Sequence, residues 1–228
     1  MTTKEVIQRL RSMANPDNVA GMARFGISAR NTLGVPMPAL RSLARQLGRD
    51  HGLALELWAS GIHEARILAA LVDDPAQVAD AQMEQWVLDL DSWDVCDQLC
   101  SNLLDRTPMA ISKAKVWSRR PETFVKRAGF VLMAALSVHD KKSPDRVFLA
   151  FLPLIERAAK DDRNFVKKAV NWALRQIGKR NMALNRAAVA AAEIIARIDA
   201  PSARWIAADA LRELKTLKIV RRIKAKKS

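Results

Sequence analysis

Apolar residues recur along this chain at the spacings of three and four residues that are typical of amphipathic α-helices. Prolines and glycines fall mostly between the periodic segments, for example at Pro36, Pro75, Pro121 and Pro201. No segment shows the two-residue alternation of a half-buried strand. Alanine is abundant and tyrosine is absent, which also favours helix over sheet. The pattern therefore predicts an all-α protein of about a dozen short helices.

Two segments in the second half of the chain repeat one another. FVKRAGFVLMAALS begins at Phe124, and FVKKAVNWALRQIG begins 41 residues later at Phe165. Looser copies are EARILAAL, from Glu64, and ARWIAADAL, from Ala203. A period near 40 residues is that of HEAT-type helix pairs, which stack into a solenoid. We therefore expect a right-handed solenoid of about six HEAT-like helix pairs with a concave basic face.

The balance of charge changes towards the carboxyl end. The chain has a formal charge of +14, and its last fourteen residues contain seven basic side chains and no acid. We expect one domain over residues 1–213 and a basic helix or arm over residues 214–228, and we prefer a mobile arm that binds DNA. Ile219 and Ile223 lie among these charges, so the alternative is a last helix that packs on the solenoid.

The rest of the chain is also basic, which indicates a polyanionic partner. Nucleic acid is the simplest one, and an anionic membrane surface is the rival. No apolar run reaches the roughly 18 residues of a membrane helix. The first residues, MTTKEVIQRL, are polar, so we expect no secretory signal. These observations predict a DNA-binding protein of the cytoplasm, associated with the nucleoid and not with a membrane.

The cysteines and histidines give no sign of a metal site. Cys96 and Cys100 are four residues apart, which indicates two reduced thiols that fill space in the core. His51, His63 and His139 lack the spacing of metal ligands, and no glycine-rich phosphate loop is present. We therefore expect no metal and no cofactor. Because solenoids of this kind need no partner subunit, we also expect a monomer.

The repeats align several basic residues. If the copies are in register, Arg66, Arg127, Lys168 and Arg204 occupy one position in successive repeats. They would then form a basic stripe that follows a phosphate backbone. Taken singly, each could equally be a solvated charge at a helix end. We predict DNA contacts from this stripe and from further residues nearby and in the tail: Lys126, Phe165, Arg221 and Arg222.

A carboxylate and an indole share one face of a predicted helix that begins near Ser92. Asp94 falls in the first turn, where an acid suits the helix dipole. Asp97 lies beyond the first turn and four residues after Trp93, so the two side chains are on the same face. This spacing makes Asp97 a candidate for chemistry. The alternative is a partly buried tryptophan beside a surface aspartate.

A second face carries aromatic and basic residues together. Phe165, Lys168 and Trp172 follow spacings of three and four residues, and such a combination suits contact with a sugar–phosphate chain. Aromatic stripes more often belong to a core. Here Val166 and Ala169, with other apolar residues, already supply the core stripe, and Trp172 falls at its edge.

At these residues the chain resembles the AlkD-like DNA glycosylases, which are HEAT-like repeat proteins that excise alkylated purines. The resemblance extends from about Leu33 to Ile177, and its most specific motif is Trp-Asp-x-x-Asp at Trp93–Asp97. It implies active-site roles for Trp93 and Asp97. It implies the same for Arg127, in VKRAG, and for Trp172, in KKAVNWALR. The stretch Leu33-Gly34-Val35-Pro36 resembles the family's N-terminal loop.

The resemblance implies a monofunctional glycosylase that excises cationic N3- or N7-alkylated purines from double-stranded DNA without flipping the base. Asp97 would stabilise the oxocarbenium-like sugar, Trp93 and Trp172 would hold the sugar and backbone, and Arg127 would pair with a phosphate. One alternative is a catalytically silent HEAT-repeat protein that binds damaged or branched DNA. Another is a protein-interaction scaffold, which is the commonest use of helical solenoids.

Overall fold

The computed structural model describes residues 1–225, and this part of the chain is helical apart from short connections, with no strand. The prediction of an all-α protein is confirmed. The chain divides into two compact units, Met1–Thr107 and Pro108–Ser228. The single domain predicted over residues 1–213 spans both units.

The first unit is built from seven short α-helices and a 3-10 turn at Leu104–Arg106. The helices are α1 (Thr3–Ser12), α2 (Pro16–Ala23), α3 (Met37–Leu47), α4 (His51–Ala59), α5 (His63–Val72), α6 (Asp80–Leu88) and α7 (Trp93–Asn102). Side-chain caps explain several of the starts: Thr2 forms a capping box with Glu5, and Asn15 and Asp50 each accept a backbone N–H three residues later.

Helix α5 is the centre of the first unit. It packs against α3, α4 and α7, and eight of its ten residues are buried. Trp58 of α4 stacks on Trp86 of α6 with ring centroids 4.1 Å apart. Because α7 packs directly on this buried helix, its first residues are held in a fixed position.

The second unit contains eight α-helices within the described range. They are α8 (Ala110–Trp117), α9 (Thr123–His139), α10 (Asp145–Leu149), α11 (Leu152–Ala158), α12 (Asn164–Gly178), α13 (Met182–Ile195), α14 (Pro201–Leu214) and α15 (Leu217–Ala225). Helix α9 is buried almost throughout and packs between α8 and α12. Helix α12 in turn packs against α13 and α14.

Ion pairs join α12 to α14 along their length. Arg175 reaches Asp209 at 2.6 Å and Glu213 at 2.7 Å, and Lys179 reaches Glu213 at 3.0 Å. Asn171 donates to the same Asp209 carboxylate at 2.7 Å. These bonds fix the rotation of α14 relative to α12, and hence the direction in which the outer side chains of both helices point.

The basic carboxyl end is a packed helix over most of its length. In α15, Ile219 and Ile223 are buried, and the helix contacts α13 and α14. The preference for a mobile arm was therefore wrong for Leu217–Ala225, because these apolar residues cover part of the second unit. Residues 226–228, which the sequence assigned to the same arm, lie outside the described residues.

No helix within the described residues is both long and apolar enough to cross a membrane.

Candidate nucleic-acid interface

The start of α7 is anchored by Asp94. Its carboxylate pairs with His63 Nε2 at 2.9 Å and accepts hydrogen bonds from Ser92 Oγ and, at 3.0 Å, from the Val95 backbone N–H. Ser92 is the N-cap residue, although its hydroxyl donates to Asp94 and does not cap the helix. Asp94 therefore ties α7 to the buried helix α5.

The pairing of His63 with Asp94 favours the charged form of each. Burial disfavours the imidazolium, but the hydrogen bond and the charge of Asp94 outweigh it and raise the pKa of His63 above its ordinary value. Burial likewise disfavours the Asp94 carboxylate, yet its bonds with His63 and Ser92 lower the pKa of Asp94. The pair is an ionic link between the two helices.

Trp93 and Asp97 lie one turn apart on α7, and both are half-buried. The Trp93 indole N–H donates to the carbonyl oxygen of Phe25 at 3.1 Å, which fixes the orientation of the ring. Cys96 and Cys100 are free thiols buried on the core side of the helix. Burial, the bond with Cys96 and the nearby Asp97 carboxylate together raise the pKa of the Cys100 thiol. The helix thus directs its thiols inward and leaves Trp93 and Asp97 at its accessible edge.

The loop before α3 is shaped by a buried carboxylate. Glu64 accepts the backbone N–H groups of Leu33 at 2.9 Å, Gly34 at 2.6 Å and Val35 at 3.3 Å. Gly34 has a φ of +75°, and a Cβ there would lie 2.2 Å from the carbonyl oxygen of Asn15. Only glycine fits this turn. The segment that resembled the family's N-terminal loop is therefore fixed by the second residue of α5.

Arg66 does not belong to an exposed basic stripe. Its guanidinium donates to the Asp89 carbonyl at 2.9 Å, lies 3.9 Å from Asp91 and sits 5.3 Å from the Trp58 ring. These contacts join α5 to the end of α6. The Arg66 side chain is largely buried, its Nε has no hydrogen-bond partner among the described residues, and the DNA contact at Arg66 stays a prediction.

Arg127 is also directed into the protein. It is buried, and its guanidinium donates to the carbonyl oxygen of Phe165 at 2.7 Å. The Phe165 ring is half-buried and lies 5.5 Å from that of Phe124. The predicted phosphate partner therefore links α9 to the first turn of α12. A phosphate contact by Arg127 stays a prediction.

Lys126 is neutralised by an acid from a later loop. Its ammonium lies 2.8 Å from the Asp161 carboxylate, which Arg163 also binds at 2.6 Å. The hydrogen bonds from Arg163 and Lys126 hold the pKa of Asp161 well below its usual range. A DNA contact by Lys126 would have to compete with this ion pair, and it stays a prediction.

Lys168 and Trp172, like the half-buried Phe165, are predicted contacts of α12 that remain at least partly accessible. Lys168 is exposed and Trp172 is half-buried, one turn apart. Within residues 1–225, Lys168 forms no ion pair and the Trp172 indole N–H has no hydrogen-bond acceptor. This edge of α12 can therefore donate to a ligand without first breaking a bond inside the protein.

The copy of the repeat that forms α14 aligns with α12 in a different register from the predicted one. Buried positions of α12, such as Val166 and Ala169, recur 37 residues later at Ala203 and Ile206. Trp205, and not Arg204, thus takes the place of Lys168. Arg204 is exposed but lies 2.9 Å from Asp199. The predicted four-residue stripe therefore does not exist as a row of free cations.

The predicted contacts of α15 lie elsewhere on the second unit. Arg221 and Arg222 are exposed, and Arg222 lines a cleft with Lys179 and Arg180 at the carboxyl end of α12. Along the axis of α12, Lys168 lies about 16 Å from Lys179 in this cleft. The two arginines are therefore not part of the same cluster as Lys168 and Trp172.

The sequence analysis did not identify a group of three accessible arginines or one exposed tryptophan. Arg41, Arg45 and Arg49 follow a spacing of four residues and line one cleft of the first unit, a pattern that could have been found. Trp205 was not identified because the predicted repeat alignment placed Arg204 at the position of Lys168. Among the described residues, no group of three histidine, cysteine or acidic side chains is arranged to hold a metal ion.

Comparison with known proteins gives both a family and a fold. The model of a family described as "DNA alkylation repair enzyme" matches residues 6–214. Among solved structures, the chain is similar to one described as "a new family of proteins related to the HEAT-like repeat DNA glycosylases with affinity for branched DNA structures". The two share 19% identity and a TM-score of 0.78, over 93% of this chain and 95% of that one. No similar protein was found among curated proteins. The likeness confirms the HEAT-like repeat fold.

Proposed function

The chain belongs to the DNA alkylation repair enzyme family, and from this premise we propose that it is a monofunctional DNA glycosylase that excises cationic N3- and N7-alkylated purines from duplex DNA. The observation that carries the proposal is the position of Asp97 on α7, half-buried and one turn after Trp93. The Trp93 ring is oriented by its bond to the Phe25 carbonyl, and Asp94 anchors the same helix through His63 and Ser92.

The proposed chemistry needs one carboxylate. A purine alkylated at N3 or N7 is already cationic, so it departs without a general acid, and positive charge grows on the deoxyribose. A carboxylate about 4 Å from that charge supplies about 4 kcal/mol at an effective dielectric near 20. If this attraction acts mainly in the transition state, it raises the rate about a thousandfold. Asp97 supplies this charge and orients the attacking water.

Each of the two units offers groups that would bind DNA. The electron-rich face of Trp93, held by its bond to the Phe25 carbonyl, favours a developing cation. Trp172 and Lys168 would contact the sugar–phosphate chain, with Lys168 taking the phosphate role that the resemblance implies for Arg127. Arg127 acts through α12, because its guanidinium holds the carbonyl of Phe165. Since the lesion is labile, the reaction proceeds without flipping the base into a pocket.

The test is release of N7-methylguanine and N3-methyladenine from methylated duplex DNA under single-turnover conditions. Asp97→Asn should lower the rate by about a hundredfold to a thousandfold, because it removes the charge and keeps the shape. Its affinity for DNA should stay within about twofold of the parent. Asp91→Asn, at an exposed acid before the same helix, is the matched control and should leave the rate unchanged.

Two results would count against this assignment. One is tight binding of methylated DNA by the parent protein with no base released. The other is an equal loss of rate and DNA affinity in Asp97→Asn, which would make Asp97 structural. The first result would favour the second candidate, a non-catalytic protein that binds branched DNA. The affinity stated for the similar solved structure supports that candidate, and binding of a three-way junction measures it.

A further inference from the structure

An exposed tryptophan on α14 has no role in the chemistry proposed above. Trp205 is 42% exposed, which is unusual for so large an apolar side chain. The ammonium of Lys167, from α12, lies over its ring at 5.1 Å from the centroid. The indole is thus presented to solvent with a cation against it.

The surrounding charges leave this corner of the second unit positive. Three acids of this part of the unit already have cationic partners: Asp161 pairs with Lys126 and Arg163, Asp209 with Arg175, and Asp199 with Arg204. Asp162 is exposed just before α12. Lys167 and Lys168 form no ion pair within the described part of the chain. The free positive charge therefore lies next to the exposed ring and attracts an anion there.

The repeat register gives the ring its orientation. Trp205 occupies on α14 the position that Lys168 occupies on α12, because the buried residues of the two helices match at an offset of 37. The ion pairs between α12 and α14 hold that orientation. An indole and two unpaired lysines on neighbouring helices combine a stacking surface with phosphate partners, as single-strand binding requires.

We propose that Trp205, Lys167 and Lys168 form a stacking platform for an unpaired DNA strand, in which a base stacks on the indole and the lysines bind the flanking phosphates. This platform would give the protein a preference for DNA with a frayed or branched end over a continuous duplex. The inference goes beyond the proposed glycosylase, because it requires DNA binding and no excision.

The experiment measures anisotropy of labelled, unmodified DNA with the full chain, on a forked duplex with two unpaired arms and on a blunt duplex of the same length. Trp205→Ala should weaken binding of the fork by about tenfold, and that of the blunt duplex by less than about twofold. Trp205→Phe keeps an aromatic face and should retain most of the affinity. Lys167→Glu should weaken fork binding at low salt.

The control is Ile194→Ala, which removes an equally exposed apolar side chain, 48% accessible, from α13 of the same unit. It should leave both affinities unchanged. Unchanged fork binding in Trp205→Ala, or equal losses on fork and blunt duplex, would overturn the platform. Since unmodified DNA is used, a protein that releases no alkylated base can still pass this test, so the two proposals fail separately.

Discussion

Two carboxylates three residues apart on α7 have different environments. The sequence suggested the helix dipole as the reason for Asp94, but its main partner is His63, from a helix 31 residues earlier. Spacing along one helix could not reveal that partner. Spacing did identify Asp97 as an acid that the helix dipole does not explain, because the number of residues between Asp97 and the start of the helix can be counted in the sequence.

Replacing His63 should give a pH-dependent loss of stability. Because the pKa of His63 is raised on folding, the ionic link is fully present below the ordinary imidazole pKa of about 6.5 and is lost as the pH rises through the higher folded value. Asp94, whose pKa is lowered, stays charged throughout this range. His63→Gln should therefore lower the free energy of unfolding by about 1.5–3 kcal/mol at about pH 5.5.

The difference between His63→Gln and the parent should shrink at about pH 9, where the parent imidazole is neutral. Urea unfolding of both proteins at the two pH values measures it. Titration of groups that the substitution leaves in place is common to both proteins and cancels. A difference that stays constant with pH would mean that His63 acts only by packing.

The protein partners of Lys126 and Arg127 could not be predicted from the sequence, for one physical reason. Helical periodicity says which face of α9 a side chain occupies, but not which later segment meets that face. Asp161 and the carbonyl of Phe165 come from 35 and 38 residues further along the chain, and they satisfy the two cations. Lys168, one repeat later, is exposed.

At the scale of elements, the sequence predicted the helices and the 41-residue offset between α9 and α12, but not the next offset. From α12 to α14 the buried positions recur after 37 residues, so an alignment by arginine alone selected Arg204. The pattern of buried residues is the better guide to register, because packing against neighbouring helices fixes rotation and a surface charge does not.

Gly129 sets the closest approach between two helices of the second unit. A Cβ at this position of α9 would lie 2.4 Å from the backbone nitrogen of Ser118 and 2.9 Å from the Trp117 carbonyl carbon. Backbone atoms cannot rotate away, so α8 would have to move. Gly129→Ala should lower the free energy of unfolding by about 1–3 kcal/mol, measured by urea denaturation.

Gly21→Ala is the matched control for this helix contact. Gly21 lies within α2, and a Cβ added there would meet no neighbouring group within 4 Å. The substitution should be neutral or stabilise by about 0.5–1 kcal/mol, as expected for alanine in an open helix. A loss at Gly129 no larger than at Gly21 would show that α8 and α9 are not packed this closely.

At the scale of the whole molecule, net charge is a poor measure of the positive charge that is available to DNA. The formal charge is +14, yet several cations are engaged in internal ion pairs, among them Lys126, Arg163 and Arg175. Composition predicted a polyanionic partner without distinguishing these from the free lysines of α12. The location of unpaired cations is set by tertiary contacts.

Two double variants of equal charge should therefore differ in the salt dependence of duplex binding. Each phosphate contact adds about 0.9 to the slope of log K against log salt. Lys167→Ala with Lys168→Ala should lower that slope by about 1.8, because both free cations are removed. Arg204→Ala with Lys215→Ala removes two cations that are already paired with Asp199 and Glu193, and should change the slope by less than about 0.5. Equal changes would mean that DNA responds to total charge and that the unpaired lysines have no special role.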